Sequence, residues 1–152
     1  MYEWSVFVHL LGLLVFAVAH GVNVFTAFRI RLDREPRTVA SLLSGSQVAV
    51  GGTYVGLLLL GIGGLSAAWS GGLLTAPWVV ASYVVIGIVL VVMWSVASPY
   101  YRRLRELAGN GTGAVDQAAL SAALDSRRPE VLAAVGFVGL VVLTWLMVLK
   151  PG

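Results

Sequence analysis

His9 and His20 are the two histidines of this chain, and no Asp, Glu, Lys or Arg lies between Trp4 and Phe28 around them. Ionisable groups inside a bilayer are costly and mark functional sites by default. Their eleven-residue separation is three helical turns plus roughly 20°, so both rings leave one face of one helix, about 16 Å apart along its axis. A neutral imidazole carries one N–H and one lone pair. That suits axial ligation of haem iron, a hydrogen bond to a quinone, or a bond to a neighbouring backbone or hydroxyl group. The rings are too far apart to share one metal ion, and no carboxylate in a span assists them. With both histidines on one helix, each iron needs a different second ligand from within the chain, or none. At about 1.5 Å per residue, Met93 lies near the depth of His20 and Met147 near that of His9, and His/Met is a sound haem ligand pair. A homodimer would instead bring equivalent histidines together. Arg29 and Arg31, just past the apolar stretch, suit haem propionates, quinone head groups or lipid phosphates, and serve equally as topology and lipid anchors.

The elements that hold these residues are membrane spans. The chain has 152 residues, 59% hydrophobic and 11% charged, with a mean hydropathy of +0.91. A soluble domain carries about 25% charged residues. Spans of about 20 apolar residues are expected at 4–28, 48–69, 78–98 and 131–149, forming an all-α, four-helix antiparallel bundle in one membrane domain, 1–152. The short uncharged link 70–77, with Gly71, Gly72 and Pro77, makes the second and third spans a tight hairpin. Glu3 is the one charge before the first apolar run and the arginines follow it, so that run reads as a retained span rather than a signal peptide.

Arg29, Arg31, Arg34 and Arg37 fall in the first loop, and Arg102, Arg103, Arg105, Arg127 and Arg128 in the third; Lys150 stands alone on the other side. The bias puts the loops in the cytoplasm and both termini outside. Trp4, Trp69, Trp78 and Trp145 then mark the outer boundary, and Tyr100 and Tyr101 the inner one. The arginines read as orienting charges, so the net charge of +3 is no nucleic-acid signature. Arginine, Ala, Gly, Val and Leu richness suggests a GC-rich bacterial genome, hence an inner-membrane location.

Pro36 suits the start of an interfacial helix carrying Val39, Leu42 and Leu43, or of an inward extension of the second span. The glycine-rich stretch 109–113 reads as flexible, a short helix is expected at about 115–124, and Pro129 opens the fourth span. Gly45, Gly52, Gly56 and Gly63, spaced seven, four and seven, form a small-residue seam for close helix packing, either within the bundle or between protomers. The absence of cysteine excludes disulfides, thiolate metal sites, iron–sulfur clusters and covalent haem attachment. With no Asp in a span there is no Ser/His/Asp triad, and Gly61-Ile62-Gly63-Gly64 inside a span is no phosphate loop.

Val8-His9-Leu10-Leu11-Gly12, then His20-Gly21 and Ala27-Phe28-Arg29-Ile30-Arg31, resemble a family of small bacterial four-helix membrane proteins, distantly similar to CopD copper-resistance proteins and HemJ-type protoporphyrinogen oxidases. The resemblance covers the four-span layout, with its residue-level part in about the first 45 residues. It implies a haem or redox role for His9; His20 matches a family feature of unknown role. Unlike the HemJ pattern, this chain has no intramembrane Lys or Arg for a porphyrin carboxylate. The expectation is a protein binding haem b or a quinone through His9 and His20, the metal being haem iron, in membrane electron transfer. The alternatives are a non-catalytic accessory subunit of a larger membrane complex and a porphyrinogen oxidase. Expected partners are the lipid bilayer and a second copy or a larger complex.

Overall fold

The computed structural model describes residues 1–109 and 115–151. It is all-helical among them: α1 (Tyr2–Asp33), α2 (Pro36–Ser70), α3 (Pro77–Val92), a π-helical stretch Met93–Ala97, α4 (Ser98–Leu107), α5 (Gln117–Leu124) and α6 (Arg128–Leu149). Four helical stretches are long and apolar enough to cross a membrane. The glycine-rich stretch expected at 109–113 falls, from residue 110 onward, outside the described residues.

Two helices run further than hydropathy alone suggests. Pro36 does open a helix, and that helix continues without a break to Ser70, so the separate interfacial helix is absent and the second span is lengthened inward. Arg37, Ser41, Ser44 and Gln47 lower hydropathy there without breaking the backbone ladder. The third span likewise continues past residue 98 to Leu107, through the π-helical turn. Pro99 supplies the reason: it has no N–H for the carbonyl of Ser95, and a widened turn just before it absorbs the missing bond.

Between α1 and α2 the chain reverses in two residues. Arg34 takes a left-handed conformation (φ 53°) as the C-cap of α1, and Glu35 is the N-cap of α2, its carboxylate accepting from the Thr38 N–H at 2.7 Å and its hydroxyl at 2.9 Å. Those bonds hold the exposed Glu35 carboxyl below its ordinary pKa. The stabilisation is therefore present above the unfolded-state pKa and lost as pH falls through the lower folded value. Glu35→Gln should flatten that acid-side loss of stability in detergent unfolding curves; an unchanged pH profile would remove Glu35 as its source.

α1 and α2 pack along bare backbone. A methyl group on Gly56 would lie 2.5 Å from the Phe16 nitrogen, one on Gly12 would lie 2.8 Å from the Leu59 carbonyl carbon, and one on Gly63 would lie 2.8 Å from the His9 Cα. A methyl on Gly52 would lie 3.2 Å from that of Ala19. The seam is thus intramolecular. Gly45 is not part of it, since nothing stands within 4 Å of its would-be side chain. Polar rungs cross the same interface: Ser5 and Ser66 share a hydrogen bond of 2.8 Å, and the Asn23 amide donates to Thr53 Oγ1 at 3.2 Å.

α3 and α6 make the second pair, with Val89 seated on Gly139 and Lys150 lying 5.8 Å from the Trp78 ring centre. The two pairs meet along α1 and α6 at three levels: His9 with Met147, His20 with Gly136, and Arg31 with Glu130 at 2.6 Å. These antiparallel contacts put both termini at one end. At the other end lies the tightest core: Ile30, Val39, Leu43, Tyr100, Leu104, Leu120 and Leu124 are buried together, with α5 held over the end of α1 by the Arg34–Asp125 ion pair. Elsewhere large side chains such as Phe7, Val18, Phe25, Leu58, Ile88 and Phe137 stand exposed, as lipid-facing groups must.

Candidate functional site

Both histidines point from α1 into the bundle, and each reaches a different partner set. His9 lies in the glycine-lined groove of α2, beside Gly63 and Gly64. Its Nδ1 is 2.8 Å from the Leu60 carbonyl oxygen. A carbonyl accepts and never donates, so Nδ1 carries the proton and donates it there. The tautomer is thereby fixed, and Nε2 keeps its lone pair. That nitrogen faces Met147 Sδ at 3.4 Å. A thioether has no hydrogen to donate, so two Lewis bases face one another without a proton between them.

His20 is arranged differently. Its ring is stacked on Phe16, with centroids 5.6 Å apart and planes 6° apart, as residues four apart on a helix allow. Its Nε2 is buried without a hydrogen-bond partner. The nitrogen abuts Gly136; a methyl there would also meet His20 Cε1 at 2.6 Å and the Met93 methyl at 3.1 Å. Met93 begins the π-helical turn, the kind of irregularity that recurs at functional sites.

The structure therefore brings His9 beside Met147, and both His20 and Met93 against Gly136. It does not bring Arg29 to either: Arg29 pairs with Asp33 at 3.1 Å one turn along the same helix end, about 13 Å beyond His20 along the axis. The sequence reading missed Leu60, Gly64, Phe16 and Gly136. A backbone carbonyl leaves no signature in residue type. Phe16, four residues before His20, was open to the i,i+4 rule. Gly136 was legible only as a small residue at the depth of His20.

Among the described residues no cluster of three or more His, Asp or Glu stands ready to chelate a metal ion. Two protein donors suffice only where the ligand brings its own equatorial donors, as a haem does. His9 Nε2 and Met147 Sδ, 3.4 Å apart, are the two side-chain donors that would hold such a group. An imidazole nitrogen and a thioether sulfur are donor types that a haem iron accepts, and Nδ1 of this imidazole is anchored to Leu60.

A family model described as "Predicted integral membrane protein (DUF2269)" matches residues 4–151. The match does not extend to CopD or HemJ-type proteins. No curated protein and no solved structure matches the chain.

Proposed function

The chain belongs to the DUF2269 family of predicted integral membrane proteins, and we propose that it is a b-type haem protein of the membrane, in which His9 and Met147 would hold the haem. The observation that carries the reading is the unprotonated face-off of His9 Nε2 and Met147 Sδ at 3.4 Å, with Nδ1 anchored to Leu60. Metal-binding histidines characteristically donate their second ring N–H to a carbonyl or carboxylate, which orients the ring and makes it a better base. Leu60 does this for His9. Gly63 and Gly64 leave the α2 side of the ring uncovered by side chains. A bound haem would supply one-electron transfer, consistent with a role in membrane electron transfer.

Purified protein should show a Soret band with one haem per chain. His9→Ala should abolish it, because α1 then offers no anchored lone pair at that depth. A colourless preparation that co-purifies in fixed ratio with other membrane subunits would overturn the haem reading in favour of an accessory subunit. Oxidation of a porphyrinogen by the purified chain would instead favour the enzyme.

A further inference from the structure

The two imidazoles differ in what holds their protons. His9 gives its N–H to Leu60 and keeps a lone pair for a metal. His20 has no such anchor: no hydrogen bond to either ring nitrogen is present among the described residues, and Nε2 is buried and unpartnered. A buried imidazole carries at least one N–H, and an unmade hydrogen bond in apolar surroundings is costly. Nε2 of His20 is thus left open to a hydrogen-bonding ligand.

The space it faces is made to yield. Gly136 has no side chain. Met93, whose methyl also abuts Gly136, is unbranched and flexible, and it sits where the helix ladder is already widened into a π-turn. Phe16 lies flat against the imidazole and offers a planar ligand an aromatic neighbour. One turn from Met93 and from Gly136 lie Val89 and Gly139. They belong to an apolar groove of about 400 Å³ along α3 and α6, lined also by Val85, Ile88, Val138 and Val142. A planar carbonyl head with a long hydrocarbon tail matches this combination.

We infer that His20 donates a hydrogen bond from Nε2 to a carbonyl of an isoprenoid quinone, whose ring displaces the Met93 methyl and whose tail follows the α3/α6 groove. The inference goes beyond the haem reading of His9 and needs only that His20 is not itself an iron ligand. No electron transfer step is included: the claim is the binding of the quinone and the role of His20 in it.

The test titrates the purified full-length chain in detergent with decylubiquinone, following tryptophan fluorescence, with decylbenzene as a tail without carbonyls. Saturable quenching by decylubiquinone and none by decylbenzene is expected. His20→Phe keeps the stacked ring and removes the donor, and should weaken binding about tenfold, the ratio for one neutral hydrogen bond; His20→Gln, which retains an N–H, should recover part of it. Met93→Phe fills the space from α3 with His20 intact and should weaken binding to the same degree. Equal affinities in wild type, His20→Phe and Met93→Phe would overturn the inference. So would two haems per wild-type chain falling to one in His20→Phe, since His20 would then be an iron ligand. A colourless wild type that still binds decylubiquinone through His20 would end the haem reading and leave this one standing.

Discussion

Alanine at Gly12, Gly56 or Gly63 is expected to destabilise the chain strongly, while alanine at Gly45, Gly51 or Gly61 of the same bundle is expected to stabilise it. The first three oppose backbone: Leu59–Leu60, Phe16 and His9, respectively, with would-be contacts well inside van der Waals distance. A flexible side chain would swing away from such a methyl; a helix backbone cannot, so α1 and α2 must separate along their whole length. Overpacking of this kind costs about 1–3 kcal/mol or more, and close backbone approach is the main source of helix association in lipid. The other three glycines have nothing within 4 Å of the added carbon. There the substitution returns only the helix preference of alanine, roughly 0.5–1 kcal/mol. Unfolding of the purified variants in detergent, followed by circular dichroism, should therefore split the six into two groups of opposite sign. A common shift for Gly56→Ala and Gly45→Ala would show that the α1/α2 contact is not the one described.

The same glycines show what could be read in advance. Span number follows from local composition, because a bilayer requires about 20 apolar residues in a row whatever packs beside them. The seam at Gly52, Gly56 and Gly63 was legible for a similar reason: spacing alone puts these residues on one stripe. Gly45 shares the stripe and not the contact, because spacing says nothing about how far the partner helix follows. Depth behaves like span number. It is a single coordinate that accumulates at about 1.5 Å per residue, and counting it placed Met147 level with His9 and Met93 level with His20. The direction in which a side chain leaves its helix relative to a neighbour has no such counter. The Leu60 carbonyl that fixes the tautomer of His9, and the exposed pairing of Arg29 with Asp33 in place of any contact with the histidines, depend on that angle. Helix ends were only partly legible where polar residues continue an α-helix beyond the apolar zone, as from Pro36 to Gln47, where an interfacial helix and a longer second span stayed open, because hydropathy reports the membrane and hydrogen bonding reports the helix.

Met147→His should convert the proposed His/Met pair into a bis-histidine pair and lower the midpoint potential of the bound haem, whereas Met147→Leu should leave His9 as the single protein ligand and change the spectrum without abolishing it. The asymmetry follows from how each residue is held. His9 is held against α2, by its bond to Leu60 and by the backbone of Gly63 and Gly64, so it can ligate alone. Met147 is a flexible side chain near the end of α6, where Leu149 is the last helical residue, and no donor orients its sulfur. Thioether ligation raises a haem potential relative to a second imidazole, so a Met147→His variant with an unchanged potential would place the sulfur outside the coordination sphere. Stability should follow the same order as ligation but change far less. His9→Ala removes one interhelical hydrogen bond, worth about 1 kcal/mol, and opens a gap beside a glycine backbone. Met147→Leu is nearly volume-conserving and should cost less than about 1.5 kcal/mol. A His9→Ala chain that still unfolds cooperatively but carries no haem, beside a Met147→Leu chain that keeps it, would separate ligation from packing at the one site where the structure joins them.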